Sequence, residues 1–285
     1  MKPSKELSMG LLQILLARPP KLEEILDYAV KGMELGAEYL TRLPGFRTHL
    51  LSLLESKSYE DVDRALHGVF STELRTLERF LPENYVDFLA KFLELYYIDY
   101  IALSISGTLK AAPGSTWVST AGLTSATISS TVIAEYSKCA PKDVKCFLMK
   151  FFERIKASHD KLGERESRAL DAIKALVTVR YFNYFRNSEL LGLKLSGFEE
   201  VLAELGINPV VEISLKRALE KLEKLGGAEL TRYTVYEASA TYPLMRELLA
   251  YSGGLANILT LYLVSRYYEL KVLRYTLVPR SLRRW

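Results

Sequence analysis

VRYFNYFRNSELLGLKLSG, residues 179–197, sets four bulky aromatics, Tyr181, Phe182, Tyr184 and Phe185, around Arg180, Asn183, Arg186 and Asn187. On an α-helix Arg180, Asn183 and Asn187 fall at i, i+3 and i+7 and share one stripe, with Arg186 beside it. Aromatics on both flanks make that stripe narrow and partly buried. A guanidinium left unpaired there is strongly destabilising. The stripe therefore reads as a clamp within a helical unit, met by carbonyls at a neighbouring helix end or by an acid on a neighbouring helix. The other reading turns the same stripe toward a second subunit.

Helical periodicity continues on both sides of this stretch. It predicts helices over 21–40, 47–56, 59–70, 84–106, 141–159, 164–192, 196–206, 212–227, 236–251 and 254–277. Pro19–Pro20 marks one start, and Ser58 with Asp61 resembles a capping box. Gly107, Gly192, Gly197, Gly206 and Gly226–Gly227 mark stops. Strand-like alternation persists nowhere, so the fold class is all-α.

Three of these helices are built alike, namely FLAKFLELYYIDYIALSISG (88–107), ALDAIKALVTVRYFNYFRNSELLG (169–192) and ILTLYLVSRYYELKVLRYTL (258–277). Each is long and aromatic-rich, with polar groups embedded at its centre; Asp99, Arg180 and Glu269 occupy comparable places. Each follows shorter amphipathic helices. The expectation is three similar helical units, at 1–110, 111–206 and 207–285. AAPGSTWVSTAGLTSATISSTVIA (111–134) carries no charge over a membrane-spanning length. It is too rich in Ser, Thr and Gly to insert, and reads instead as a closely approached helix or a connector.

The chain has 285 residues, a formal net charge of +4 and 25% charged residues. That composition is ordinary for a soluble protein and does not call for nucleic acid as a partner. The basic excess gathers at the end: Arg266 to Trp285 holds six Lys/Arg and one acid, Glu269. Such clustering suits an acidic partner or lipid headgroups, and equally a solvated helix end. Cys139 and Cys146 lie seven apart on an expected helix, about 10 Å from each other and too far to bridge. They read as small core residues in a reducing compartment. The N-terminal stretch lacks the pattern of a secretory signal, so a cytoplasmic location is expected. Scarce Gln and Asn beside plentiful Lys, Arg and Glu are compatible with a thermophilic source.

Reactive constellations are sparse. There is no P-loop, no H-E-x-x-H and no aspartate-rich prenyl-transfer motif in the sequence. His49, His67 and His159 are far apart in sequence and read as structural. No catalytic residue, cofactor or metal ligand is expected; the chain reads as a scaffold.

Across these stretches the sequence resembles a family, the C subunit of archaeal and vacuolar-type rotary ATPases, known as subunit d in the eukaryotic complex. The better match is RYFNYFRNSELLGLKLSGFEEVLAELG (180–206), where Asn183, Arg186 and the turn Leu191–Gly192–Leu193 fit the family pattern. The second is YLVSRYYELKVLRYTLVPRSL (262–282), where Glu269, Leu273 and Arg274 fit its Glu…Leu-Arg. SKSYEDVDRALHGVFSTEL (56–74) is similar to the run of short helices before the first long one. The chain departs from the pattern at Arg180, where the family usually has an acid, and at Val272 and Ala102, where it has asparagine. The resemblance implies three helical units around a pseudo-threefold axis, forming a funnel. It implies a non-catalytic rotor subunit of a proton-translocating ATPase or ATP synthase, with a socket for the central-shaft subunits. Its seat would be the proteolipid ring, peripheral to the cytoplasmic face of the membrane. Arg180, Asn183, Arg186, Asn187, Glu269 and Arg274 become candidates for clamping helices or meeting partners. Arg280, Arg283 and Arg284 become candidates for ring loops or headgroups.

Two other classes stay open in the sequence. A helical-repeat adaptor would stack its units as a solenoid with two capped ends and a groove for a protein partner. An enzyme with a helical core would use Tyr with a buried acid such as Asp99 or Glu269 in proton transfer. The Arg–Tyr interleaving at 266–275 also suits base stacking, but helical periodicity accounts for it as core.

Overall fold

The computed structural model describes residues 4–18, 21–33, 66, 70, 72–105, 134–140, 142–164, 167–191, 193–195, 197–225, 233–250 and 253–277. These residues are helical or connect helices, and no strand occurs among them. In chain order the helices are α1 (Lys5–Ala17), α2 (Leu22–Val30), α3 (residues 72–78) and α4 (Glu83–Ile105). Then come α5 (Val144–His159), closed by a single 3-10 turn at Asp160–Leu162, and α6 (Ala169–Arg186). The short α7 (Ser188–Leu191) and α8 (Phe198–Leu205) precede α9 (Pro209–Leu225), α10 (Tyr233–Leu249) and α11 (Leu255–Leu277).

Local chemistry sets many of the ends. Ser4 opens α1 by accepting the Leu7 N–H at 3.2 Å, and Asp143 opens α5 by accepting the Cys146 N–H at 2.9 Å. Pro209 starts α9 where a missing N–H costs nothing, and the Asn208 side chain accepts the Val210 N–H at 3.0 Å. Gly206 ends α8 in the left-handed region at φ +58°, a conformation that side chains with a Cβ avoid. α6 stops at Arg186, and Asn187 turns its side-chain amide back to the Asn183 carbonyl at 2.7 Å. The helix expected through to residue 192 is thus broken at Asn187.

α11 is the hub. It packs on α1, α2, α4, α6 and α10, while α6 packs on α5, α8, α9, α10 and α11. The order of contacts closes on itself: α4 on α5, α5 on α6, α6 on α10, α10 on α11, and α11 back on α4. The first two described helices therefore rest on the last described one. Tyr262, Leu263, Val264, Tyr267, Tyr268, Val272 and Leu273 give α11 buried residues all round. Such a helix belongs in the middle of a bundle rather than on its surface.

The structure corrects one sequence expectation outright: Cys139 and Cys146 form a disulfide, with Cα atoms 5.6 Å apart. The 10 Å separation assumed an unbroken helix through both. Instead α5 begins only at Val144, and Lys142 adopts φ +67°, folding the chain so that Cys139 comes back onto the helix's first turn. The sequence reading also passed over α1, whose Leu12 and Leu15 enter the core. Residues 34–65, with the helix expected at 47–56 and the capping box at Ser58, lie outside the described residues. So do His67, the 111–133 part of the uncharged segment, and Arg280, Arg283 and Arg284.

Candidate functional site

The core of this protein is rich in charge, and the charges come in sets. Arg180 on α6 and Glu237 on α10 are both buried, with Arg180 Nη1 3.7 Å from Glu237 Oε1. Asn183, one turn along α6, donates from Nδ2 to the other oxygen, Oε2, at 3.0 Å. Tyr268 of α11 donates its hydroxyl to Oε1 at 3.0 Å. One carboxylate thus joins three helices. The guanidinium also donates to the Tyr184 hydroxyl at 3.2 Å and stands over the rings of Tyr184 and Tyr267, at 5.5 and 5.4 Å. Planar cations suit such stacking, which recovers part of the solvation lost on burial. Burial, followed by the charge of Glu237, pushes the Tyr268 phenol well above its ordinary value, so it remains a donor.

A second set lies at the other side of α11. Arg266 donates from Nε to Glu73 Oε1 at 3.0 Å, from Nη2 to the Leu15 carbonyl at 3.2 Å, and from Nη1 to Glu269. Tyr262 donates to the same Glu73 oxygen at 2.8 Å. One arginine here serves two carboxylates and ties α1, α3 and α11 together. Burial raises the Glu269 pKa against the pull of Arg266, with the charge of Glu73 adding to the rise.

The third set joins α4 to α5. Arg154 grips Glu94 with both arms, Nε to Oε2 at 2.7 Å and Nη2 to Oε1 at 2.8 Å. This two-pronged geometry is among the strongest side-chain pairings available. Tyr136 adds its hydroxyl to Glu94 Oε2 at 2.8 Å. Each of the three sets combines an arginine, at least one buried glutamate and a tyrosine donor.

A fifth carboxylate works without an arginine. Glu164 accepts the backbone N–H groups of Leu255 and Ala256 at 3.2 and 3.0 Å, capping α11 from a distant loop. Tyr85 of α4 also donates to it, and Lys5 of α1 reaches it at 3.4 Å. A carboxylate at the positive end of a helix is favourable on both hydrogen-bond and dipole grounds. Burial works to raise its pKa, but the bonds from Tyr85 and the Ala256 N–H outweigh that and hold it below its ordinary value.

Comparison with protein-family models, with curated proteins and with solved structures finds no match. Among the described residues no cluster of three or more His, Cys, Asp or Glu is placed to hold a metal ion, and no helix is long and apolar enough to cross a membrane. A cleft of about 480 Å³ lies between the end of α5, the start of α6 and the end of α8. Three of its charged side chains serve the fold: Lys174 donates to the Gly206 carbonyl, Glu204 pairs with Lys145, and Glu164 caps α11.

Of the candidate residues read from sequence, the structure brings Arg180 and Asn183 together on Glu237 and places Asn187 directly behind Asn183. Arg186 points elsewhere, donating to the Leu222 carbonyl in the last turn of α9. Glu269 belongs to the Arg266 set rather than to that of Arg180. Arg274 lies on α11, and its side chain is outside the described residues, as is that of Asp99. Sequence reading missed Glu237, Glu94, Arg154, Glu73, Arg266 and Glu164 as members of these sets. Glutamates inside the apolar helix centres FLELYY (92–97) and VYEASA (235–240) were the available signal.

Proposed function

We propose that this chain is a non-catalytic rotor subunit of an archaeal/vacuolar-type, proton-translocating ATPase or ATP synthase, linking the membrane proteolipid ring to the central-shaft subunits. The observation that carries the reading is where its two family-like stretches fall. Residues 180–206 begin on α6, and most of 262–282 lies on α11, the two helices around which the others pack. Torque transmission asks for stiff helices fixed against rotation about one another. Glu237 bonded to α6 and α11 from α10, and Arg266 bonded to α1 and α3, supply such fixings.

The contact of α1 and α2 with α11 bears on the runner-up. A stacked solenoid keeps its first and last units apart, whereas here the first and last described helices touch. That favours a closed arrangement, as the funnel would be, over an open helical-repeat adaptor. In this reading the protein sits at the cytoplasmic face, peripheral to the membrane through the ring, with Arg280, Arg283 and Arg284 toward ring loops or headgroups. A disulfide in that location matches the cytosol of hyperthermophiles, which is the intracellular setting where structural disulfides persist.

The test is purification of the tagged full-length chain from its native membranes in mild detergent, with partners identified by mass spectrometry. Co-purification of a proteolipid with central-shaft subunits is expected, and neutralising Arg280, Arg283 and Arg284 together should weaken it. Recovery of the chain with neither partner overturns the reading and returns the adaptor to the front.

A further inference from the structure

We infer that the Cys139–Cys146 disulfide is a redox-sensitive staple that holds Tyr136 in the Glu94–Arg154 set, so that reduction loosens the junction between α4 and α5. The staple stands apart from the rotor reading and does not rest on it.

The segment carrying Tyr136 is attached by a short series of linked contacts. Cys139 donates its N–H to the Tyr136 carbonyl at 3.0 Å, so the bridged residue is tied directly to the tyrosine's backbone. The Tyr136 ring stacks on Phe147, with centroids 6.1 Å apart and planes at 20°, and Phe147 adjoins Cys146 on α5. The Tyr136 hydroxyl then reaches across to Glu94 on α4. Tyr136 is fully buried. Between the cysteines the chain must turn through Lys142 at φ +67°, a conformation that residues with a Cβ rarely adopt. The bridge is the covalent element that holds this turn closed. Without it the turn can relax, and the ring stack and the hydroxyl bond lose their anchor together.

The chemistry is a two-electron exchange with a dithiol reductant, small or protein-borne. Its thiolate attacks Sγ of Cys146, the less buried residue of the pair, and the S–S bond breaks with Cys139 leaving as a thiolate that takes a proton. The reductant's second thiol then closes its own disulfide and frees Cys146. Two cysteine thiols and one oxidised dithiol result. Glu94 keeps its two bonds from Arg154 but loses the phenol, and the face of α5 beside it opens.

The experiment uses the full chain purified without reductant. Alkylation with maleimide followed by intact-mass measurement should find no labelled cysteine before treatment with a dithiol such as dithiothreitol, and two after it. Hydrogen–deuterium exchange should quicken about tenfold across 134–143 and the first turn of α5 on reduction, leaving α10 and α11 unchanged. The Tm should fall by about 5 °C. Tyr136→Phe should lower the Tm of the oxidised protein clearly more than that of the reduced protein. The double variant Cys139→Ser, Cys146→Ser should match reduced wild type and ignore the reductant; if it does not fold, titration of wild type with reductant gives the same reading. Full labelling before reduction overturns the inference. So does unchanged exchange on reduction, or an equal Tyr136→Phe penalty in both redox states.

Discussion

Arg180 and Glu237 lie 3.7 Å apart on α6 and α10, with both side chains almost wholly withdrawn from solvent, and Asn183 and Tyr268 complete the carboxylate's bonds. A buried pair of this kind contributes little net stability compared with well-packed apolar residues, but breaking it strands a charge. Arg180→Met should therefore destabilise by about 3–5 kcal/mol, because it leaves the Glu237 carboxyl buried without its cation. Arg180→Met with Glu237→Gln should recover a good part of that loss. Urea unfolding of wild type, Arg180→Met, Glu237→Gln and the double variant measures it; a double variant as unstable as the sum of the singles would refute the coupling.

The Arg266 set predicts an asymmetry. Two glutamates depend on one guanidinium, so Arg266→Met leaves both Glu73 and Glu269 without it and should cost about 3–5 kcal/mol. Glu269→Gln removes a carboxylate whose ionisation burial already opposes, while Arg266 retains Glu73 and the Leu15 carbonyl. Its cost should be no more than about 1–2 kcal/mol. Equal Tm losses for the two variants would mean that the set is not shared in this way.

What could be read in the sequence was whatever repeats along one helix. The Arg180–Asn183 stripe follows from a spacing of three, and Gly206 stops α8 for a reason that any sequence shows. The partner of that stripe was not legible, because Glu237 lies on another helix and nothing in periodicity says which acids meet which arginines. Arg266 and Glu269 sit three apart, yet Glu73 and Leu15 complete their set from far up the chain. The cysteine reading failed on a local fact: it extended α5 by one turn too many, across a lysine in a conformation that side chains seldom take. α1 was passed over because GLLQILLA (10–17) was weighed as a leader and not as a helix.

Acid should weaken the Glu164 cap. Its folded pKa lies below the ordinary 4.5, so the folded state binds this proton less tightly than the unfolded state does. The contribution is fully present above about pH 4.5 and is lost as the pH falls through the lower folded value. Glu269, with its pKa raised, has the opposite sign and is common to wild type and variant, so it cancels in their difference. Wild-type Tm minus Glu164→Gln Tm should be positive at pH 7 and shrink steadily below pH 4.5. A difference that stays constant with pH would show that the α11 cap does not depend on charge.

Gly254 stands beside that cap at φ +105°, just ahead of the two N–H groups that Glu164 accepts. A Cβ there would lie 2.8 Å from Glu164 Oε2, inside van der Waals contact. Gly254→Ala therefore carries two penalties: a backbone conformation that alanine resists, and displacement of the carboxylate that closes α11. Together they should cost about 2–3 kcal/mol. The two separate in a Glu164→Ala background, where the clash is gone and only the backbone strain remains, so Gly254→Ala should cost about half as much there. Chemical denaturation of the four proteins in the cycle decides it. If the alanine costs the same in both backgrounds, the glycine is required for its backbone alone, and the close approach of Glu164 does not constrain the residue at this position.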